Sequence, residues 1–357
     1  MLFLLSVVSA TPGFDPKEFL KQTVTCKAPK KDSRTVVDIT SSYVDINSEA
    51  DVTLLLVHGW PGLWSTWSNQ IQDFKEDYRL IVPDLRGFGG STSPGDIQTS
   101  GSMPDLVGDL MCILQHARVD SAICIGHDWG SAVCYEAGRS RPDIFKAVVG
   151  AVVPYIPAAG PFVATKDLAA MTPGLAYELF FSEKTSAAVA ELNANVRRTI
   201  RATLRTVDSP PPKGFLTDPN SFLGGWKGVA QIPPVPFFTS IEEDYYVDQY
   251  NRQKFSYTLQ FYTDGNRRAS WEFAHAQGNH TLTQPVLSIM PNGDPVADWV
   301  NVTHILESHK FLPHLTTAVI AGAHWPQLEN PVAFNHELRK WLSKTVNLIG
   351  QRAKDEL

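Results

Sequence analysis

Short apolar runs bounded by turn residues recur through the first half of the chain, and segments with helical spacing separate them. Runs of this kind fit strands that are buried on both faces of a parallel sheet. Strands are predicted over 52–57, 79–83, 122–125 and 146–153, and helices over 64–74, 103–117 and 131–139. Ser102 and Asp105 are capping candidates for the second of these helices. The alternation predicts an α/β fold with a mostly parallel, doubly wound sheet.

The pattern changes in the middle of the chain, which is rich in Pro, Gly and aromatic residues from about 154 to 278. Helical stretches are predicted there over 175–181, 185–206 and 245–262, with irregular connectors at prolines 210–212 and 233–234. Strands resume over 285–290 and 315–320, before a last helix over 331–348. We therefore expect a core in two parts, 30–154 and 281–350, with an inserted helical lid over 155–280. Such a lid covers the edge of the sheet where open α/β sheets bind ligands.

The most informative local pattern is Gly126-His127-Asp128-Trp129-Gly130, which follows the apolar run 122–125. A buried strand that leads into a sharp turn and a helix, with small flanking residues, is typical of a nucleophile elbow. The usual centre of that turn is serine, and here it is Asp128. The alternative interpretation of Asp128 is that it only caps the following helix. We interpret its neighbour His127 as a packed residue of the turn and not as a catalyst.

Other polar residues directly follow predicted strands, namely His58, Asp294 and His324. Asp298 is a rival to Asp294, which we favour because it lies nearer the end of its strand. His324 taken alone could be a structural histidine, but its place after the last strand favours a catalytic role. The order nucleophile, acid, histidine is that of the α/β-hydrolase arrangement.

A carboxylate at the centre of the elbow limits the possible substrates. It is a poor nucleophile toward esters and amides, but its attack on a saturated carbon with a good leaving group gives a stable ester. Epoxides and alkyl halides are therefore the expected electrophiles. We expect His324 to activate water against this ester and Asp294 to orient His324. The backbone N–H groups of Trp60 and Trp129 are suitably placed to stabilise the oxyanion.

Four motifs carry a family resemblance: HGWPG at 58–62, PDLRGFGGS at 83–91, GHDWGS at 126–131 and GAHWPQLENP at 322–331. With them the chain resembles the α/β-hydrolase fold, and within it the epoxide hydrolases. The resemblance implies that Tyr177 and Tyr262 of the lid donate a proton to the opening epoxide. The plainer alternative is that both are core aromatics, and four other tyrosines compete with Tyr262: Tyr245, Tyr246, Tyr250 and Tyr257.

Three functions remain open at this point. The leading one is hydrolysis of an epoxide to a vicinal diol, with an apolar substrate because the lid is rich in Phe, Pro and Ala. A haloalkane dehalogenase would share the Asp nucleophile and the following Trp, but typically has Asn where this chain has Trp60. A non-catalytic binding protein with the same fold would usually lack a member of the triad.

Composition excludes some partners. The chain has 357 residues and a formal net charge of −6, and its Lys and Arg residues are scattered, so we expect no nucleic-acid partner. No cluster has metal-ligand spacing and residues 87–90 lack the Lys of a phosphate loop, so we expect neither metal nor cofactor. The cysteines at 26, 112, 124 and 134 match no zinc pattern and no small disulfide framework. We therefore expect free, buried cysteines.

The two ends suggest a cellular address. Residues 1–10, MLFLLSVVSA, resemble the apolar part of a secretory signal but lack a positively charged start, so cleavage or retention as an anchor stays open. Residues 354–357 are KDEL, the retention address that a retrieval receptor reads. We expect the lumen of the endoplasmic reticulum, with membrane contact only through the N-terminal segment. Asn279 and Asn301 lie in Asn-x-Thr sequons usable there.

Overall fold

The computed structural model describes residues 13–355, with side chains up to residue 351. The apolar segment 1–10 and the side chains of the KDEL sequence lie outside the described residues. The described strands are β1 (Lys21–Lys30), β2 (Thr35–Ile46), β3 (Thr53–Val57), β4 (Arg79–Pro83), β5 (Ala122–His127), β6 (Phe145–Ala151), β7 (Val286–Pro291) and β8 (Leu315–Ile320). They form one sheet in the order β1-β2-β4-β3-β5-β6-β7-β8.

The sheet is parallel from β4 to β8 and antiparallel at one edge. Strands β3, β5 and β6 lie in its middle and are almost entirely buried, as the apolar runs predicted. The edge hairpin of β1 and β2 was not predicted. Both strands mix exposed polar and buried residues, so neither contains an apolar run that could have revealed it.

Helices cover the sheet and fill the predicted lid. The helices of the first core part are α1 (Ser68–Phe74), α2 (Met103–His116) and α3 (Trp129–Ser140). Those within 155–280 are α4 (Thr165–Met171), α5 (Tyr177–Glu183), α6 (Thr185–Ala194), α7 (Val196–Thr203), α8 (Ser240–Gln253) and α9 (Asp264–Gln277). The remaining ones are α10 (Trp299–Ile305), α11 (Pro326–Glu329) and α12 (Pro331–Asp355). Among the described helices none is both long and apolar enough to cross a membrane.

Two predicted lid helices are in fact interrupted. The helix predicted over 185–206 divides at Asn195, which is extended and accepts a hydrogen bond on its side chain from the N–H of Arg198. The helix predicted over 245–262 ends at Gln253, because Lys254 has a φ of 63°. A 3₁₀ turn over Thr258–Tyr262 follows it. Side-chain capping and a left-handed residue therefore ended helices that the apolar pattern alone would have continued.

The expectation of free cysteines was wrong, since all four are paired. Cys26 of β1 is bonded to Cys112 of α2, and Cys124 of β5 is bonded to Cys134 of α3. The Cα atoms lie 6.0 and 5.4 Å apart, within the range a disulfide can bridge. The partners meet because α2 and α3 pack against the sheet, which the spacing of the cysteines along the chain did not reveal.

Candidate active site

The turn between β5 and α3 holds Asp128 in an unusual backbone conformation. Its φ is 55° and its ψ is −124°, a region that costs a non-glycine residue about 1–3 kcal/mol. The flanking glycines allow the close approach that this turn needs. A Cβ atom on Gly126 would strike the carbonyl of Gly130, and one on Gly130 would strike the carbonyl of Val57. The elbow geometry predicted from the sequence is therefore present at Asp128.

The two carboxylate oxygens of Asp128 have different partners. Oδ1 accepts a hydrogen bond of 2.9 Å from the backbone N–H of Trp60, and Trp129 also donates its backbone N–H to this carboxylate. Oδ2 lies 3.4 Å from Nε2 of His324. Asp128 is only 8% exposed. Oδ1 is thus held by one predicted oxyanion donor, the N–H of Trp60, and Oδ2 faces the predicted base.

His324 bridges two carboxylates from different parts of the chain. Its Nδ1 lies 2.7 Å from Oδ2 of Asp294, whose side chain is fully buried. Asp294 follows β7 and His324 follows β8, so the parallel strands bring both to one edge of the sheet. Asp298 is exposed and caps α10 through the N–H of Asn301. The structure therefore brings Asp294, and not Asp298, to His324.

The local charges set the protonation of this cluster. Burial by itself lowers the pKa of His324, but the carboxylates of Asp294 and Asp128 raise it to about 10. Burial raises the pKa of Asp128, but His324 and the N–H of Trp129 bring it below its usual value. At neutral pH the resting site therefore holds an imidazolium ion between two carboxylates.

His127 and His58 are buried structural residues in this arrangement. Nε2 of His127 lies 2.7 Å from the backbone carbonyl of His324, and burial lowers the pKa of His127 to about 4. The neutral His127 ring therefore donates to the loop that carries His324. His58 accepts the N–H of Leu85 on its Nε2, at 3.0 Å.

The lid closes a cavity of about 260 Å³ over these residues. Tyr177 of α5 and Tyr262 line it together with Asp128 and His324. The two phenol rings are 5.9 Å apart, and burial raises the pKa of both hydroxyls well above 10. Both tyrosines are therefore neutral and able to donate a proton. The competing residues Tyr245, Tyr246, Tyr250 and Tyr257 do not line this cavity.

The indole groups beside Asp128 are already engaged. Nε1 of Trp60 donates to the hydroxyl of Thr258 at 3.2 Å. The ring of Trp129 stacks on Phe261 with centroids 5.3 Å apart, and meets Tyr262 edge to face at 5.5 Å. Trp60 thus lines the cavity, whereas Trp129 packs against Phe261 and Tyr262.

Some residues of the site were not singled out from the sequence. Nε1 of Trp299 donates to Oδ2 of Asp294 at 2.5 Å, and the N–H of Val296 donates to its Oδ1 at 2.8 Å. Glu178, beside Tyr177, is buried, and burial raises its pKa to about 7 although Arg267 opposes the shift. An acid next to a lid tyrosine was visible in the sequence, but nothing there indicated its burial.

Comparison with known proteins identifies the family. The alpha/beta hydrolase fold family matches residues 52–331, and the chain belongs to it. The fold class predicted from the sequence is thereby confirmed.

Individual relatives agree with this membership. Bifunctional epoxide hydrolase 2 of Rattus norvegicus is 29% identical over 298 residues, which cover 82% of this chain and 52% of the relative. The chain thus spans about half the length of that mammalian relative. Epoxide hydrolase A of Mycobacterium tuberculosis is 27% identical, covering 81% of this chain and 90% of the relative. An epoxide hydrolase structure from an endophytic Streptomyces is 25% identical with a TM-score of 0.76, covering 92% of this chain and 96% of that one.

Proposed function

We propose that this protein is an epoxide hydrolase that converts an epoxide and water into a vicinal diol. The observation that carries the proposal is a single cavity in which the carboxylate of Asp128 and two neutral phenols, Tyr177 and Tyr262, are lining groups. A nucleophile and a proton donor in one apolar cavity are what the opening of an epoxide requires. The names of the relatives from Rattus norvegicus and Mycobacterium tuberculosis support the same activity.

In the first step, Oδ2 of Asp128 attacks an epoxide carbon. A carbon–oxygen bond forms to Asp128 as the carbon–oxygen bond of the ring breaks. The released alkoxide takes the proton of a tyrosine hydroxyl, from Tyr177 or Tyr262. Oδ1 stays bonded to the N–H of Trp60 and becomes the carbonyl oxygen of the ester.

In the second step, water attacks the carbonyl carbon of this ester. Ester formation removes the charge of Asp128 that helped to raise the pKa of His324, so the imidazolium first releases its proton to solvent. The neutral ring then takes one proton of the water and passes it to the departing alcohol oxygen. The negative charge that develops on Oδ1 is stabilised by the N–H groups of Trp60 and Trp129. The regenerated carboxyl group loses its proton, and this proton and the one released earlier return through solvent to the tyrosine and to His324. The diol departs and the resting site is restored.

The dehalogenase alternative is less well supported by the same geometry. A departing halide is an anion that requires N–H donors, but Nε1 of Trp60 already donates to Thr258. The hydroxyls of Tyr177 and Tyr262 line the cavity together with Asp128, and neutral hydroxyls suit a departing alkoxide. The binding-protein alternative is disfavoured because Asp128, Asp294 and His324 are all present and in contact.

The chemistry is tested with a panel of epoxides and alkyl halides, read by product mass and halide release. We expect diols and no halide from the wild type, and no turnover from Asp128→Ala. His324→Gln should accumulate the ester, seen as a mass increase equal to the substrate on the intact protein. Halide release without diol formation would favour the dehalogenase. Turnover retained in Asp128→Ala would remove Asp128 as the nucleophile.

The tyrosines are tested separately, because their proton is what favours an epoxide over an alkyl halide as the substrate. Tyr177→Phe and Tyr262→Phe each keep the ring but lose the proton. We expect the double variant to form the ester at least about a hundredfold more slowly, the usual contribution of general acid catalysis. Single-turnover formation of the protein–substrate adduct measures this step. Tyr250→Phe, which alters a buried hydroxyl outside the cavity, is the matched control. An unchanged rate in the double variant would mean that the two tyrosines contribute packing and not a proton.

A further inference from the structure

A buried arginine lines the same cavity without a role in the steps above. Arg205 follows α7 in the lid and is only 4% exposed. Arginine is rarely buried to this extent unless a carboxylate pairs with it. Within the described residues, Arg205 forms no ion pair with any carboxylate.

The hydrogen-bond partners of Arg205 are all neutral. Nε donates to the carbonyl of Ser209 at 3.0 Å, and Nη2 donates to the hydroxyl of the same serine. Nη1 lies 3.1 Å from the carbonyls of both Pro233 and Pro234 and 3.3 Å from that of Arg201. A guanidinium has five N–H donors. Nη2 carries two of them and contacts one acceptor of the described chain, so one donor of this buried group is free.

The neighbouring charges do not neutralise Arg205. Glu243 is the carboxylate whose charge acts on Arg205, but it binds Arg197 at 2.7 Å and Arg201 at 2.7 Å. Arg197 also forms an ion pair with Asp244. Burial and the positive charge of Arg201 lower the pKa of Arg205, although Glu243 opposes the shift. Arg205 therefore gives its wall of the cavity a positive charge, and the neighbouring carboxylates are paired with other arginines.

The rest of the cavity is mostly apolar. Phe215, Phe222 and Pro211 line it between the groups already described. A buried cation without a paired anion is costly, and an arriving anion would offset this cost through charge-assisted hydrogen bonds. A neutral epoxide would leave the guanidinium of Arg205 without a paired anion.

We propose that Arg205 is a specificity residue that binds an anionic group carried on the same molecule as the epoxide. The substrate class is then an apolar epoxide with a carboxylate or a comparable anion. This inference rests on the proposed function, because it concerns the same cavity. It adds a second recognition element, one that makes no contact with the reacting bond.

The wild-type protein tests this directly. Epoxides of ω-unsaturated carboxylic acids are prepared at increasing chain length, each paired with its methyl ester, and kcat/KM is measured for every pair. At the chain length that spans the cavity from Asp128 to Arg205, the acid should be preferred by roughly tenfold to a hundredfold. This is the range of a hydrogen bond to a charged group. The preference should appear mainly in KM, because the anion is bound equally before and during the reaction.

Variants separate recognition from support of the lid. Arg205→Met should abolish the preference for the acid, and Arg205→Lys should keep part of it, because it retains the charge. Arg198→Met is the matched control, since Arg198 of the preceding helix α7 donates to the carbonyl of Trp226 and lines no part of the cavity. If Arg205 only supported the lid, Arg205→Met would lower the rates of acid and ester by the same factor.

The outcomes also distinguish this inference from the proposed function. If the wild type hydrolyses esters and acids equally at every chain length, the anion site is wrong and the epoxide hydrolase stands. If no epoxide of either kind is hydrolysed, the proposed function itself fails. A preference for the acid that Arg205→Met leaves unchanged would assign the anion to another residue.

Discussion

The charge of His324 depends on what Asp128 carries. In the resting site two carboxylates hold the pKa of His324 at about 10, so its ring is protonated at neutral pH. In the proposed mechanism, ester formation would remove the negative charge of Asp128 and with it one of the two causes of the raised pKa. We therefore expect the pKa of His324 to fall in the proposed intermediate, in which His324 has to accept a proton from water. In this proposal the state of Asp128 controls when His324 becomes a base.

Asp294 and Asp298 offer a matched pair of variants. Asp294→Asn removes the buried carboxylate that orients His324, so ester hydrolysis should slow on the order of a thousandfold or more. Asp298→Asn changes an exposed cap and should leave turnover within a factor of about two, since surface substitutions have small effects. Steady-state kcat and adduct accumulation measure both. Equal losses in the two variants would contradict the assignment of Asp294.

Glu178 predicts a dependence of stability on pH. Burial raises its pKa from 4.5 to about 7, so the folded protein binds this proton more tightly than the unfolded chain. The resulting stabilisation is fully present below pH 4.5 and is lost as the pH rises through 7. Above that pH, Glu178→Gln should therefore be more stable than the wild type by up to about 3 kcal/mol.

Denaturant unfolding across this pH range measures the effect. Glu183→Gln, an exposed acid at the end of the same helix, is the control and should follow the wild type at every pH. If the difference in unfolding free energy between Glu178→Gln and the wild type does not change with pH, then folding does not raise the pKa of Glu178.

At the scale of elements, the central strands were predictable and the lid helices were less so. The strands β3 and β5 are short, continuous apolar runs, and the structure confirms both within one or two residues. The lid helices are short and end at specific caps, such as Asn195 before α7. Apolar spacing continues across such a break, because a side-chain hydrogen bond to the backbone leaves no trace in hydrophobic periodicity.

The cap of α7 makes a prediction of its own. Asn195→Ala loses the hydrogen bond to the N–H of Arg198 and should lower the free energy of unfolding by about 1 kcal/mol. Asn195→Asp keeps an acceptor at the same place and should retain most of that stability. Chemical denaturation of the two variants tests this. Equal losses in both would mean that the cap contributes little.

At the scale of the whole molecule, two disulfides connect elements that are far apart or functionally central. Cys26–Cys112 ties the edge hairpin to α2 across 86 residues, and Cys124–Cys134 spans the elbow that contains Asp128. Disulfides form and persist in oxidising compartments. We propose that this chain matures in the secretory pathway, and the lumen of the endoplasmic reticulum stays a prediction.

This inference predicts the thiol content of the native protein. Alkylation after unfolding without a reductant should label no cysteine, and alkylation after reduction should label all four. The double variant Cys26→Ala, Cys112→Ala should lose about 2–4 kcal/mol of stability, because it frees a long loop in the unfolded chain. Four reactive thiols in protein isolated from its native cell would contradict both the pairing and the compartment.

The sequence by itself determined the local features of this protein: the buried strands, the elbow whose glycines admit Asp128, and the chemistry that a carboxylate nucleophile permits. These depend on residues close together along the chain. Only the tertiary structure decided that Asp294 contacts His324, that the cysteines pair, that Glu178 is buried, and that Arg205 lines the cavity without an acid. Each of these depends on distances and dielectric surroundings created when distant segments pack together, and periodicity along a single chain carries no record of them.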